Sequence, residues 1–210
     1  MKRMILFALL LAGTACSTVS ERQSSQVVPV SRPAPVVYIH PLETEVYEEA
    51  SVGVLPFRMP SATPAVRGEA VAALFRDVLL VRRVFPRVVL LSQEYGDLDD
   101  AVALGRKSGV DLVLAGKVNA ILAGTELGGA KADLSVRLLN VATGNTVWHA
   151  GQTLTQPVDL PDTGIVTRLA DSLGPPRIRP LHGAPPATVM LGQIASDLAD
   201  VFAGSRTVRR

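Results

Sequence analysis

The chain of 210 residues has a single cysteine, few aromatic residues and no surplus of charge of either sign. One cysteine, Cys16, cannot form an intramolecular disulfide. Aromatic residues make up 4% of the chain and apolar residues 48%, so we expect one domain with an aliphatic core. Removing Lys2 and Arg3 from the 21 basic residues leaves 19, which equals the number of acidic residues. That balance argues against the clustered basic surface by which proteins capture nucleic acid.

Motifs for catalysis and for metal binding are missing as well. The three histidines, His40, His149 and His182, share no local motif with a second ligand, which disfavours zinc. The sequence has neither a P-loop nor a G-x-S-x-G elbow. The aspartates at 97, 99 and 100 lack the glycine and the distal glutamate of an EF-hand loop, and helix capping accounts for them. We therefore predict a protein that is not an enzyme and that takes no cofactor or metal.

The first 15 residues have the form of an export signal. Lys2 and Arg3 precede an apolar run of about nine residues, well short of the roughly 20 that span a bilayer. Cys16 follows three small residues and stands where a bacterial lipoprotein carries its acylated residue. We predict a palmitate-type lipid anchor on Cys16, and Ser17 resembles the residue that favours transfer to the outer membrane. Because Gly13 stands where the lipobox usually has Leu, ordinary cleavage to a soluble periplasmic protein stays an alternative.

The segment after the cysteine differs in composition from the rest of the chain. Residues 16–50 are rich in serine at first and in proline later, without helical or strand periodicity, and they predict a flexible tether. The globular domain is expected over 51–204, with an irregular proline-rich part over 155–187. Residues 205–210 form a basic tail. This division predicts one domain that a tether holds off a membrane.

Patterning within 51–204 predicts an α/β domain. Runs of β-branched and aliphatic residues bounded by glycine and proline predict five strands, at 51–57, 88–91, 112–122, 130–141 and 146–154. Helical spacing of apolar residues predicts four helices: one starting near Pro64, one capped by Asp97, one over 163–173 and one from Thr188 to Gly204. Turns at 124–129 and 142–145 join the last three strands. The order βαβα, then βββ, then a closing helix is that of a single α/β domain with a mixed, partly antiparallel sheet packed by helices.

Three stretches of this domain resemble a known family. They are V-x-V-L-P-F at Val52–Phe57, L-x-G-K-V at Leu114–Val118 and L-N-V-x-T-G-N-x-V-W at Leu139–Trp148. Together they are similar to the CsgG/LpoB/TolB-N-like bacterial envelope lipoproteins, over about half of the chain. The resemblance implies a compact α/β domain, a place in the cell envelope and work done by protein contacts. Residues 58–64 lack the Asn-x-Thr/Ser that follows the first strand in many relatives.

The expected function is that of a non-catalytic adaptor or assembly factor. We expect an outer-membrane lipoprotein, on the periplasmic face, that binds another envelope protein through its sheet edge or its proline-rich loop. The alternative is a subunit of a CsgG-like secretion channel, although the 124–129 turn is too short for the long alternating insertions of such a channel. Assembly into a homo-oligomer is left open.

Overall fold

The computed structural model describes residues 30–42, 47, 49–61, 66–124, 129–157 and 187–204. Within these ranges the chain forms six strands and three helices. The strands are β1 Val36–Ile39, β2 Ser51–Val54, β3 Arg87–Leu90, β4 Leu112–Leu122, β5 Lys131–Asn140 and β6 Thr146–Thr155. The helices are α1 Gly68–Val81, α2 Leu98–Ser108 and α3 Ala187–Gly204. The predicted order βαβα, βββ, α is therefore confirmed, with β1 added in front of it.

All six strands belong to one sheet, in the order β1-β6-β5-β4-β2-β3. Strand β2 lies parallel to both of its neighbours, β3 and β4, and the remaining pairs are antiparallel. Helices α1 and α2 make the connections within the parallel half, because parallel strands cannot be joined by a tight turn. The predicted fold class, a single α/β domain with a mixed sheet, is confirmed.

Helices cover the two faces of this sheet unequally. On one face, α1 and α3 bury Phe75 and Phe202 against inward residues of the strands such as Leu134. On the opposite face, α2 forms a smaller core in which Ala101 packs near Val113. No helix among the described residues covers the rest of that second face. We call this uncovered area the open face; its residues are Lys117, Asn119, Asp133, Ser135, Arg137, His149 and Thr153.

The turn between β5 and β6 closes as the sequence predicts. Gly144 has a φ of 77°, a left-handed conformation that glycine adopts without strain. The Asn140 side chain accepts hydrogen bonds from the backbone N–H groups of Ala142 at 2.9 Å and Thr143 at 3.1 Å. A register shift follows, since Leu138 pairs with Trp148 whereas Leu139 pairs with Thr146. This shift leaves one extra residue on β6, so two successive residues there are buried.

The predicted capping of α2 is also confirmed. The Asp97 carboxylate accepts a hydrogen bond from the backbone N–H of Asp100 at 2.8 Å. The helix ends at Gly109, which has a left-handed φ of 62°. Gly105, in the last turn, has a packing role: a Cβ there would lie 2.3 Å from Cγ2 of Val113 on the sheet. The glycine thus lets the helix approach β4 closely.

Two element boundaries differ from the prediction. The first predicted strand, 51–57, ends at Val54, although Leu55 and Arg58 still donate backbone hydrogen bonds to β4. The first helix begins at Gly68 and not near Pro64, because Arg67 is extended and the Gly68 carbonyl accepts a hydrogen bond from the Phe57 N–H at 3.1 Å. That bond fixes the first residue of the helix against the end of β2. The helix predicted over 163–173 lies outside the described residues.

The prediction of a structureless tether over 16–50 is wrong for its later part. Val36–Ile39 form β1, which pairs antiparallel with β6 at the edge of the sheet. Ser31 also bridges Thr155, through backbone hydrogen bonds of 2.7 and 3.2 Å. The β-branched and aromatic residues of Val36–Ile39 favour a strand, but their partner β6 lies more than a hundred residues away. The sequence around β1 therefore does not show that this pairing forms.

Candidate functional site

Strand β1 forms one edge of the sheet, and all four of its residues are exposed. One side of the strand pairs with β6, and its other side has no partner strand among the described residues. The side chains are all apolar or aromatic: Val36 is 54% exposed and Tyr38 62%. Single exposed apolar residues are common on protein surfaces, but here four occur in a row on a strand that is paired on one side only. We call this side of Val36–Ile39 the free edge.

A polar cluster fixes the chain that leads into the free edge. The Arg32 guanidinium donates two hydrogen bonds to the Asp197 carboxylate on α3, one of them at 2.8 Å. The Gln152 side-chain amide of β6 donates to the same carboxylate at 2.7 Å and to the Pro33 carbonyl oxygen at 2.7 Å. We call Arg32, Gln152 and Asp197 the clamp. It joins the segment before β1 to both the sheet and α3.

Within the clamp, Arg32 and Asp197 form a charged pair. The hydrogen bond from Arg32 is the main cause that lowers the pKa of Asp197, and the bond from Gln152 adds to it, while burial acts in the opposite direction. The same contact raises the pKa of Arg32. Both groups therefore carry their charges at neutral pH, and the bidentate geometry fixes the direction in which the chain enters β1.

Tyr38 links the free edge to the open face. Its ring lies 4.7 Å, between centroids, from the ring of His149 on β6. Burial and the nearby positive charge of Arg137 lower the pKa of His149, so its imidazole is neutral at pH 7. His149 is half-buried, beside the fully packed Trp148, which agrees with the alternation that the sequence predicts. The contact with Tyr38 gives His149 a packing role.

A pocket of about 440 Å³ lies beyond the carboxyl end of β2, where open α/β sheets commonly bind ligands. Its described lining contains no Ser, Cys or His, and Arg67 lies 3.6 Å from Glu69. Burial raises the pKa of Tyr95 to about 12, and the Tyr95 hydroxyl donates a hydrogen bond to the Gly116 carbonyl oxygen at 2.8 Å. Tyr95 is thus a fixed part of the wall. The other lining residues are Pro56, Phe57, Arg58, Met59, Gly68 and Glu94.

Of the cysteine and the three histidines that the sequence singled out, two are described and two are not. Cys16 and His182 lie outside the described residues. His40 is exposed and follows Ile39, the residue that pairs with His149 on β6. Across the described ranges, no group of three His, Cys, Asp or Glu side chains is arranged to hold a metal ion. No helix within those ranges has both the length and the apolar character to cross a bilayer.

The described residues thus form an α/β domain with an exposed apolar strand at one edge of its sheet. No protein-family model and no curated protein matches the sequence. Among solved structures, the PelC dodecamer from Paraburkholderia phytofirmans is 17% identical, covering 81% of this chain and 96% of that chain with a TM-score of 0.48. The LpoB C-terminal domain from Salmonella enterica is 17% identical, covering 52% and 85% with a TM-score of 0.39.

Lipoprotein GNA1162 from Neisseria meningitidis is a third structural neighbour, 15% identical over 59% of this chain and 93% of that chain with a TM-score of 0.38. LpoB is one of the proteins that the sequence resemblance names, while a relationship to CsgG or TolB stays a prediction.

Proposed function

We propose that the protein is a lipid-anchored, non-catalytic adaptor of the bacterial envelope that binds a partner protein through the free edge of β1. The observation that carries this proposal is an exposed apolar edge strand whose outer side has no partner strand among the described residues. Sheet edges in soluble proteins are usually blocked by lysine or proline, or covered by another element, because unpaired N–H and C=O groups attract further strands. Val36–Ile39 contain neither a charge nor a proline.

The chemistry of the edge indicates the kind of partner that fits. An extended segment of another protein can add to β1 as a new strand, with main-chain hydrogen bonds supplying affinity and alternate side chains supplying specificity. Pro33, Pro35 and Pro41 flank β1, and a register shift falls between Val37 and Ile39. These features limit the added strand to about four or five residues of regular pairing. An apolar, β-branched segment of that length is the expected partner.

The anchor is the second part of the proposal. Cys16 would carry the acyl chains, and the interface that the domain presents would then be confined to the envelope. Intact-mass measurement of the purified mature protein should find a lipid-modified first residue, and Cys16→Ser should leave the protein in the soluble periplasmic fraction. A mature chain that begins with an unmodified residue would remove the anchor from the proposal and leave the β1 interface untouched.

The binding part is tested by placing a charge on the free edge. Val36→Lys should abolish co-purification of the partner, because a lysine at the edge opposes strand addition. Val189→Lys is the matched control, since Val189 is 47% exposed on α3, outside β1 and its pairing with β6, and receives the same change. Equal recovery of the same partner with both variants would refute binding at β1. Nothing in the described residues favours the alternative of a secretion-channel subunit.

A further inference from the structure

Three basic residues occupy neighbouring positions on the side of the sheet that bears the open face. Two of them are directly opposed on adjacent segments, and the third is diagonal to one of these. Arg58 forms a backbone bridge to Lys117, and Lys117 pairs with Ser135 on β5. Arg137 lies two residues further along β5 on the same face, diagonal to Lys117. Side chains at directly opposed and diagonal positions are close enough to interact. We call Arg58, Lys117 and Arg137 the cationic strip.

None of the three cations of the strip makes an ion pair within the described ranges, where the ion pairs involve Arg32, Arg67, Arg76 and Arg82. Two acids lie on the same side: Asp133 accepts a hydrogen bond from the Asn119 side chain at 2.9 Å, and Glu94 lines the pocket that Arg58 also lines. Like charges on opposed strands are destabilising. Three cations that make no ion pair there point to an anionic partner that lies flat against the sheet.

Apolar side chains adjoin the strip on one side. Tyr38, exposed over 62% of its surface, stacks on His149, which in turn pairs with Arg137 across β5 and β6. Val36 stands opposite Gly151, in the same row as Lys117 and Ser135. An amphipathic aromatic residue beside basic residues is the combination that proteins place at a membrane surface, where the ring meets the interface and the cations meet phosphate.

The position of the chain entry indicates a bilayer as the partner. Only the 14 residues from Cys16 to Pro29 separate the proposed lipid from Val30, the first described residue. A chain of that length reaches at most about 50 Å even when it is fully extended. Ser31 bridges Thr155, which pairs with Lys131, and Lys131 lies four residues, or about 13 Å, along β5 from the row of the strip. The anchor would therefore keep this edge of the sheet, and the strip beside it, within reach of the membrane.

We propose that the cationic strip docks the domain onto an anionic bilayer through the phosphate groups of acidic phospholipids. The choice of a bilayer over a soluble polyanion rests on the anchor in the proposed function. Docking in this orientation places the sheet parallel to the membrane and leaves the free edge of β1 facing sideways. A partner strand could then add to β1 along the membrane plane.

The test uses the full mature chain with Cys16→Ser, so that binding does not depend on the lipid or on a protein partner. Sedimentation with vesicles of phosphatidylcholine and phosphatidylglycerol (7:3, about 50 mM salt) should show binding, and vesicles of phosphatidylcholine alone should show none. Each basic residue near an anionic surface contributes about fivefold in affinity. Changing Arg58, Lys117 and Arg137 together to Gln should therefore weaken binding roughly a hundredfold.

The matched control changes Arg82, Arg87 and Lys107, three exposed basic residues outside the strip and outside the pocket that Arg58 lines, to Gln, with the same loss of net charge. This variant should bind within about threefold of the parent chain, since it leaves the strip intact. Equal weakening by the two triple variants, or no binding of the parent chain to the acidic vesicles, would overturn the proposal. Binding to soluble polyglutamate without binding to acidic vesicles would also overturn it, in favour of an acidic protein partner. Thermal unfolding of all variants checks that each is folded.

Discussion

The ring of Phe57 lies directly against Gly116, at the place where the end of β2 meets β4. A Cβ on Gly116 would lie 2.2 Å from Cε1 of Phe57, far inside van der Waals contact. Phe57 is buried, and its ring centroid is 4.7 Å from that of Phe75 on α1. Two of the sequence stretches that resemble the envelope family, Val52–Phe57 and Leu114–Val118, therefore contact each other in the core. The glycine in the second stretch makes room for the aromatic ring of the first.

We predict that Gly116→Ala destabilises the fold by about 1 to 3 kcal/mol, because the ring must leave its packed position to admit the methyl group. Gly192→Ala is the control. A Cβ at Gly192, in α3, meets nothing within 4 Å, and alanine is the better helix former by up to about 1 kcal/mol. Denaturant unfolding should give a lower free energy of unfolding than the wild type for Gly116→Ala and a higher one for Gly192→Ala. A neutral Gly116→Ala would mean that the Phe57 ring adapts at no cost.

A carboxylate at the start of β4 gives the fold a dependence on pH. Asp111 accepts hydrogen bonds from the Ser51 N–H at 2.8 Å and from the Ser51 hydroxyl at 2.7 Å. The backbone bond from Ser51 is the main cause that lowers the pKa of Asp111 below 3.8, and the hydroxyl bond adds to it. A lowered pKa means that the ionised form stabilises the native state. This contribution to stability is present above pH 3.8 and is lost as the pH falls through the pKa that Asp111 has in the folded protein.

We predict that Asp111→Asn lowers the free energy of unfolding by about 1 kcal/mol at pH 7, a modest amount because the group is mostly exposed. The gap between wild type and variant should close as the pH falls well below 3.8, where the wild-type carboxyl is also neutral. Urea unfolding at several pH values measures the gap. Ser51→Ala in the wild type should reduce the same pH dependence. A gap that stays constant down to pH 2 would show that packing, and not charge, is responsible.

The clamp should control how firmly β1 is held. We predict that Asp197→Ala raises amide hydrogen exchange across Val36–Ile39 by about tenfold or more, since it removes the acceptor of Arg32 and of Gln152. Asp200→Ala is the matched control: Asp200 lies one turn further along α3 and pairs with Arg82 at 3.3 Å. Exchange measured by mass spectrometry should leave β1 unchanged in that variant. Equal increases of exchange in β1 in both variants would show that α3 holds β1 through packing and not through the clamp.

The middle of the domain could be predicted from the sequence because its determinants are local. Alternation along β5, the turn at Ala142–Asn145 and the cap at Asp97 depend on residues close in the chain, and each is confirmed. Strand β4 occupies the bounds that the sequence predicts. The start of α1 was harder to predict, since it depends on a hydrogen bond between Phe57 and Gly68 across a loop.

Strand β1 and both surfaces proposed for binding depend on long-range pairing. Arg32 meets Asp197 at a separation of 165 residues, and no local pattern encodes that contact. Arg58, Lys117 and Arg137 are dispersed in the sequence and become neighbours only when β4 pairs with β5 and with the segment after β2. The run of Val and Tyr residues in Val36–Ile39 was the one available sign of a strand, and the prolines around it favoured the prediction of a tether.

Site-specific photo-crosslinking in intact envelopes tests the central proposal, binding at the free edge, most directly. A photoreactive phenylalanine analogue replaces Tyr38 in one variant and Val189 in another, both of them exposed positions. We predict one discrete adduct from position 38, none from position 189, and loss of the adduct when Val36→Lys is added. The same adducts from both positions, or an adduct at 38 that survives Val36→Lys, would contradict binding through β1.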